Sequence, residues 1–365
     1  MTELSDTTLV TLVGFGGGVL LGLAARLARF CTLGAIEDAY YGGSRDRILM
    51  WPLALGVAIF STFALNEAGL LDLGGSVYLR NAFSLSDSIG GGLVFGIGMA
   101  LAGNCGFGAL SRLGGGDLRS LMIVIVIGIA SYAAAVGPLA EMRIWLFPRP
   151  EAIDPSSSSL AALLQSRFSL PPLLLAATIS IILLIIGLSD RDVRSNKNVV
   201  FWSIMVGVAI TSGWLGTSWV KTHGFDVVSV ESHTFTMPFG EAMLQMMTAT
   251  GTSGGFSVGS VAGVLVGAFI GARIKKQFRW EACDDPRELS RQLFGAILMG
   301  FGGVVALGCS IGQGMSAFSV LAISAPVTIA SVAVGAIIGL RFLIEGSPIW
   351  ETISATLAKV FRQGD

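Results

Sequence analysis

Two cysteines of this chain sit in matching surroundings. Gly103-Asn104-Cys105-Gly106-Phe107-Gly108 closes an apolar run in the first half, and Leu307-Gly308-Cys309-Ser310-Ile311-Gly312 closes one in the second. The match extends upstream, to Gly96-x-Gly98 and Gly300-x-Gly302. A thiol held between glycines has two chemical uses. As an activated thiolate it is a nucleophile that could relay sulfur as a persulfide, but activation usually draws on a histidine or a cation. The two histidines, His223 and His233, lie together in one polar connection outside the cysteine motifs, where both are expected as loop residues. As a neutral thiol it is a weak donor with a polarizable sulfur, suited to lining a path for a soft anion.

The motifs have no acidic or basic residue. Their polar groups are the thiols, Asn104, Ser310, Gln313 and the backbone N–H groups that Gly106, Gly108 and Gly312 leave accessible. A short helix starting at Gly106 or Ser310 would direct about half a positive charge at whatever lies before it, and such an end holds small anions. The candidate binding residues are therefore Cys105, Cys309, Asn104, Gly106, Gly108, Ser310, Gly312 and Gln313. Cys31 is a third thiol, after the first apolar run, and the corresponding stretch of the second half, Phe235-Thr236-Met237, has a threonine there. Cys283 lies in the charged loop Lys275–Arg291 and is expected on the surface. With no CxxC pair and few histidines, neither a metal centre nor another cofactor is expected.

The elements that must hold these residues are membrane helices. The 365 residues are 53% hydrophobic and 13% charged, against roughly 25% charged in soluble domains, and mean hydropathy is +0.75. A net charge of −1 gives no electrostatic basis for binding nucleic acid. Met1–Thr7 carries Glu3 and Asp6 and no basic residue, unlike a cleaved signal peptide. Runs of about 20 apolar residues fall at 8–30, 48–71, 88–104, 118–139, 172–189, 198–219, 257–274, 292–308 and 323–344. Short helix-like pieces follow the first, third, sixth and eighth runs. At membrane depth such pieces need cover from protein or a cavity, so they are expected as re-entrant half-helices.

The expected fold is an all-α polytopic membrane protein of about nine transmembrane helices with re-entrant half-helices. A linker rich in proline and serine, Phe147–Pro172, and a polar one after the fifth run divide the runs four, one, four. The expected organisation is a first repeat over 1–147, a linker with the central fifth span over 148–197, a second repeat over 198–345 and a tail over 346–365. The odd span inverts the second repeat, a plan that transporters use to place a site at the membrane midplane. On this plan Cys105 and Cys309 approach the middle from opposite faces, and the expected shape is an hourglass with a thiol-lined waist. Of the 23 Lys and Arg residues, five (Arg80, Arg143, Arg149, Arg167, Lys221) fall on the N-terminal side of the membrane and eighteen on the other. Basic residues gather on cytoplasmic loops, so the N-terminus is expected outside and the C-terminus in the cytoplasm.

The segments Phe30-Cys31-Thr32-Leu33-Gly34-Ala35, Gly103-Asn104-Cys105-Gly106-Phe107-Gly108 and Gly308-Cys309-Ser310-Ile311-Gly312-Gln313-Gly314 resemble the YeeE/YedE family of sulfur-compound transporters, over nearly the whole chain. The resemblance implies a bacterial inner-membrane importer of thiosulfate with nine spans, re-entrant helices and an hourglass shape. It implies that the anion passes three thiols by hydrogen bonding, here Cys31, Cys105 and Cys309, and that the importer works beside a small soluble sulfur-carrier protein of the TusA or YeeD type. The alternatives are a transporter of another sulfur or selenium anion, a membrane sulfur-relay enzyme using cysteine persulfides, and an assembly subunit docking through its charged loop.

Overall fold

The computed structural model describes residues 5–81, 83–148, 159–168, 171–225, 228–248, 254–282 and 285–346. Cys283, much of the 147–172 linker and residues 347–365 lie outside the described residues. The helices are α1 (Asp6–Leu27), α2 (Thr32–Glu37, continued by a π turn to Gly42), α3 (Asp46–Glu67), α4 (Val77–Arg80), α5 (Leu85–Ala102), α6 (Gly106–Gly114), α7 (Leu118–Ala135) and α8 (Ala140–Leu146). They continue as α9 (Leu160–Phe168), α10 (Pro172–Gly187), α11 (Arg191–Ser195), α12 (Lys197–His223), α13 (Met237–Met247), α14 (Phe256–Ile274), α15 (Pro286–Val305) and α16 (Ser324–Glu345). A further helical segment covers 310–319, with a π stretch at Gly312–Ala317. Extended pairing among the described residues is limited to isolated bridges such as Ser76 with Val230.

The protein is an all-α polytopic membrane protein. Among the described residues, seven helical runs are long and apolar enough to cross a membrane. Two of the nine apolar runs differ from these: α10 has 16 residues, and α15 carries Arg287, Glu288 and Arg291 in its first two turns. All four short pieces are helical, as α2, α6, α13 and 310–319. Helix starts follow ordinary capping chemistry, in which a side-chain oxygen accepts from an otherwise orphaned N–H. Ser5, Ser84, Asp117, Asn196 and Asp285 do this for α1, α5, α7, α12 and α15.

Most of the glycines serve close packing. A methyl group at Gly14, Gly18 or Gly22 of α1 would lie 2.3, 2.4 or 2.4 Å from a carbonyl oxygen of α14. Gly259, Gly263 and Gly267 of α14 face α1 carbonyls at 2.0–2.2 Å in the same way. Small residues every fourth position let two apolar helices touch along their backbones, which is what drives association in lipid. Gly96 and Gly335 repeat this between α5 and α16, and Gly98 and Gly295 between α5 and α15. The packing also pairs up across the chain: α1 lies on α14 and α12 on α3, α5 on α16 and α15 on α7, α13 on α7 and α2 on α16.

Side-chain contacts distinguish two ends of the bundle. At one, Asp72 pairs with Lys221 at 3.2 Å and the Phe225 amide donates to Asp6. At the other, Asn198 and Lys275 both donate to the Leu27 carbonyl, Arg26 donates to the carbonyls of Ser111 and Arg112, and Arg341 reaches Tyr40. The described part of the linker is tied to the core, because the Leu160 amide donates to the Leu321 carbonyl at 2.9 Å. That contact places α9 directly behind the 310–319 segment.

Candidate functional site

Each motif cysteine occupies the N-cap of a short helix: Cys31 of α2, Cys105 of α6 and Cys309 of the 310–319 segment. The chain reaches these positions through breaks that ordinary helix cannot supply. Gly103 ends α5 with φ +76°, and Leu307 and Gly308 end α15 with φ +57° and +156°. Positive φ is cheap for glycine and is held at Leu307 by the surrounding contacts. At the Cys105 and Cys309 caps the sulfur stands in for the usual oxygen. Cys105 Sγ accepts from the Gly108 N–H at 3.3 Å, and Cys309 Sγ accepts from the Gly312 N–H at 3.3 Å. Cys31 holds the same N-cap place before Gly34 without a side-chain cap hydrogen bond.

The caps converge. The Cys31 and Cys105 sulfurs flank the same glycine: a methyl group on Gly108 would lie 3.4 Å from Cys31 Sγ and 3.5 Å from Cys105 Sγ. Thr32, next to Cys31, donates to the Ser310 hydroxyl, next to Cys309, at 2.9 Å. Phe235 closes the ring from a third direction. Its N–H donates to Cys309 Sγ at 3.1 Å, its ring lies 5.2 Å from that of Phe107, and its carbonyl oxygen would be 2.8 Å from a methyl on Gly106. Cys105 and Cys309 are buried, and Cys31 is half-buried.

The other sequence candidates divide by what their polar atoms do. Asn104 is buried and its Oδ1 has no partner, so an acceptor is left over beside Cys105. The Ser310 hydroxyl is engaged with Thr32. Gln313 donates to the carbonyls of Ala306 and Leu307 at 2.8 and 3.3 Å and accepts from Ser324 at 3.3 Å. It therefore fixes the break before Cys309 with its whole amide. Gly106 and Gly312 keep space open. A methyl on Gly312 would meet Thr234 Oγ1 at 2.4 Å and Tyr78 Oη at 3.0 Å.

Several residues of the site were not among the sequence candidates. The connection before α13 carries Glu231, Thr234, Phe235 and Thr236 into the centre, and Thr234 Oγ1 lies 3.6 Å from Cys309 Sγ. Thr236 is the N-cap of α13, the position corresponding to Cys31, and its buried Oγ1 has no partner. His233 lies in the connection, as expected, but inside the protein. It is fully buried, with Nδ1 2.6 Å from Ser260 Oγ and its ring 4.9 Å from Phe256. Burial pushes it down to about 3, so the ring is neutral. The signal for the connection was present in the sequence as apolar residues interleaved with small polar ones, Val230-Glu-Ser-His-Thr-Phe-Thr236. The triple recurrence Cys31-x-x-Gly34, Cys105-x-x-Gly108, Cys309-x-x-Gly312 is equally legible.

A cavity of about 300 Å³ leads to this centre from the end of the bundle that carries the Asp72–Lys221 pair. Tyr78, Arg143, Glu231, Thr234, Thr236 and Glu241 line it, and it reaches Leu307 and Gly308, directly before Cys309. A second cavity of about 550 Å³ shares Val77, Glu231, Glu241 and Ser257 with it and continues past exposed Ser229. Burial, with repulsion from Glu241 behind it, raises Glu231 to about 8, and burial raises Tyr78 as well. At neutral pH the approach thus carries the Arg143 guanidinium and the Glu241 side chain beside an uncharged Glu231. A smaller pocket of about 180 Å³ touches Thr32 and is lined by apolar side chains, including Ile36, Trp51 and Ile329. The arrangement can lower a small anion from a wide approach onto N–H groups and thiols without burying a fixed charge beside it.

A model of the sulphur transport family matches residues 27–338. Two curated relatives carry the name thiosulfate transporter TsuA. The one from Escherichia coli K12 is 27% identical over 330 residues, covering 82% of this chain and 84% of its own length. The one from Spirochaeta thermophila is 24% identical over 321 residues, covering 84% of this chain and 91% of its own length.

Proposed function

The chain belongs to the sulphur transport family, and from that premise we propose that it carries thiosulfate across the membrane through the thiol-lined centre. The observation that carries this reading is the convergence of Cys31, Cys105 and Cys309 at three short-helix N-caps around one point. Thiosulfate is a small dianion with a soft terminal sulfur. Helix N-termini supply positive potential, thiols supply weak donors and polarizable contact, and Asn104 stands beside them. With no lysine or arginine in the motifs, the anion is not trapped. A persulfide relay would need a base at a thiol, whereas the described partners of the Cys105 and Cys309 sulfurs are N–H groups and a hydroxyl.

Two inverted repeats, 1–147 and 198–345, with a central span in 148–197 and a tail over 346–365, fit the reciprocal packing. Every helix pair named above has a counterpart under exchange of α1, α2, α3, α5 and α7 with α12, α13, α14, α15 and α16. Under this organisation α10 is the central fifth span, and its exposed Ile181, Ile182, Ile185 and Ile186 suit contact with lipid. The end gathering Arg26, Arg47, Arg112, Arg119, Lys275 and Arg279 faces the cytoplasm by the positive-inside rule. The wide cavity then faces outward, the N-terminus is outside, and the direction is import across a bacterial inner membrane. The delivered anion would be taken up by a small soluble sulfur-carrier protein of the TusA or YeeD type.

The test is growth on thiosulfate as sole sulfur source in cells lacking their own uptake systems. Rescue by the wild type and not by Cys105→Ala supports substrate and site together. Failure of well-expressed wild type to rescue contradicts thiosulfate as the cargo.

A further inference from the structure

The approach cavity holds a group that the thiol pathway does not use. Glu231 lines both parts of it, and its backbone is pinned to α12, where its N–H donates to Thr217 Oγ1 at 3.2 Å while its carbonyl accepts from the same hydroxyl at 3.0 Å. Its side chain therefore stands at a fixed point on the way to Cys309, three residues before Thr234 on the same strand of chain. The ionisable groups facing it are Glu241 from α13, Arg143 from α8 and Tyr78 from α4. Lys221 of α12 is occupied by Asp72. Further in, Thr236 presents a buried hydroxyl without a partner to the same cavity.

We propose that Glu231 is a substrate-contact residue that stands as a neutral carboxylic acid and donates its O–H to the anion in the approach cavity, ahead of the thiols. The proposal rests on the thiosulfate reading. A carboxylate here would repel a dianion, whereas a carboxylic acid adds a donor to Arg143 and Thr236. No proton has to leave the carboxyl, so the contact consumes nothing. Burial and the neighbouring Glu241 hold the acid form through neutral pH, with its midpoint raised to about 8. The sign follows directly: the group donates below that midpoint and repels above it.

The experiment is the external-pH profile of labelled thiosulfate influx into proteoliposomes, for wild type, Glu231→Gln and Glu241→Gln. Wild-type influx should fall about tenfold between pH 7 and pH 9, in step with the acid form. Glu231→Gln keeps a neutral donor and should transport with a flat profile. Glu241→Gln removes the repulsion and should move the wild-type midpoint to lower pH. A flat wild-type profile, a Glu231→Gln profile that still falls, or a folded Glu231→Gln protein without influx would each overturn the proposal. If Glu231→Gln does not fold, the Glu241→Gln midpoint decides, and an unmoved midpoint overturns it. Absence of influx by wild type at every pH would overturn the thiosulfate reading and this contact with it. Wild-type influx without the predicted profiles overturns the contact alone.

Discussion

Thr32 donates a hydrogen bond to Ser310 across 2.9 Å, with both residues buried. One follows Cys31 and the other follows Cys309, so this contact fixes the spacing between thiols from opposite halves of the chain. Thr32→Ala leaves the Ser310 hydroxyl buried and unpaired, at a cost of about 1–3 kcal/mol. Its melting temperature in detergent should fall and its uptake should fall with it. Thr32→Ser keeps the donor and should restore both. Wild-type uptake by Thr32→Ala would show that this spacing does not matter.

Gly108→Ala separates transport from folding. The nearest neighbours of the added methyl are the Cys31 and Cys105 sulfurs and Asn104 Cβ, at ordinary contact distances of 3.4–3.5 Å, and α6 tolerates alanine. Expression and melting temperature should stay near wild type while influx is lost, because the methyl occupies the space between two thiols. Unchanged influx would place the pathway elsewhere. Gly312→Ala, whose methyl would approach Thr234 Oγ1 to 2.4 Å, should impair folding as well.

His233 gives a pH dependence of stability rather than of transport. Its folded-state pKa of about 3 lies below its ordinary 6.5, so the unfolded chain binds the extra proton between those values. The stabilisation is complete above about pH 6.5 and is lost as pH falls toward 3. Melting temperature should drop between pH 7 and pH 4.5, and His233→Gln should flatten that slope. An equal slope in the variant would assign the acid sensitivity to other groups.

The sequence made the helices and the thiols legible for different reasons. Long apolar runs have few alternatives in a membrane, and so α1, α3, α5, α7, α12, α14 and α16 fall within a few residues of the expected runs. The cysteines stood out because Cys105 and Cys309 share glycine-rich surroundings at matching places. What the residue types did not announce was the role of the connection 228–236. It has no helical period, and its role depends on backbone atoms, the Phe235 N–H and carbonyl, whose use no residue type announces. His233 lies in this connection as expected, but its burial shows only once Ser260 and Phe256 are seen around the ring. Gln313 shows the opposite limit. Its type suggested a ligand contact, while its place after the Leu307–Gly308 break gives its amide three protein partners.

The central claim is that thiosulfate passes the thiols, and influx of radiolabelled thiosulfate into proteoliposomes, with wild type beside Cys309→Ala, tests it most directly. Cys309 Sγ accepts from two N–H groups, and losing a cap costs about 1 kcal/mol, too little to unfold the bundle. Wild type should show saturable influx, and a Cys309→Ala protein that remains folded and monodisperse should show only background influx. Influx by Cys309→Ala at the wild-type rate would contradict the claim.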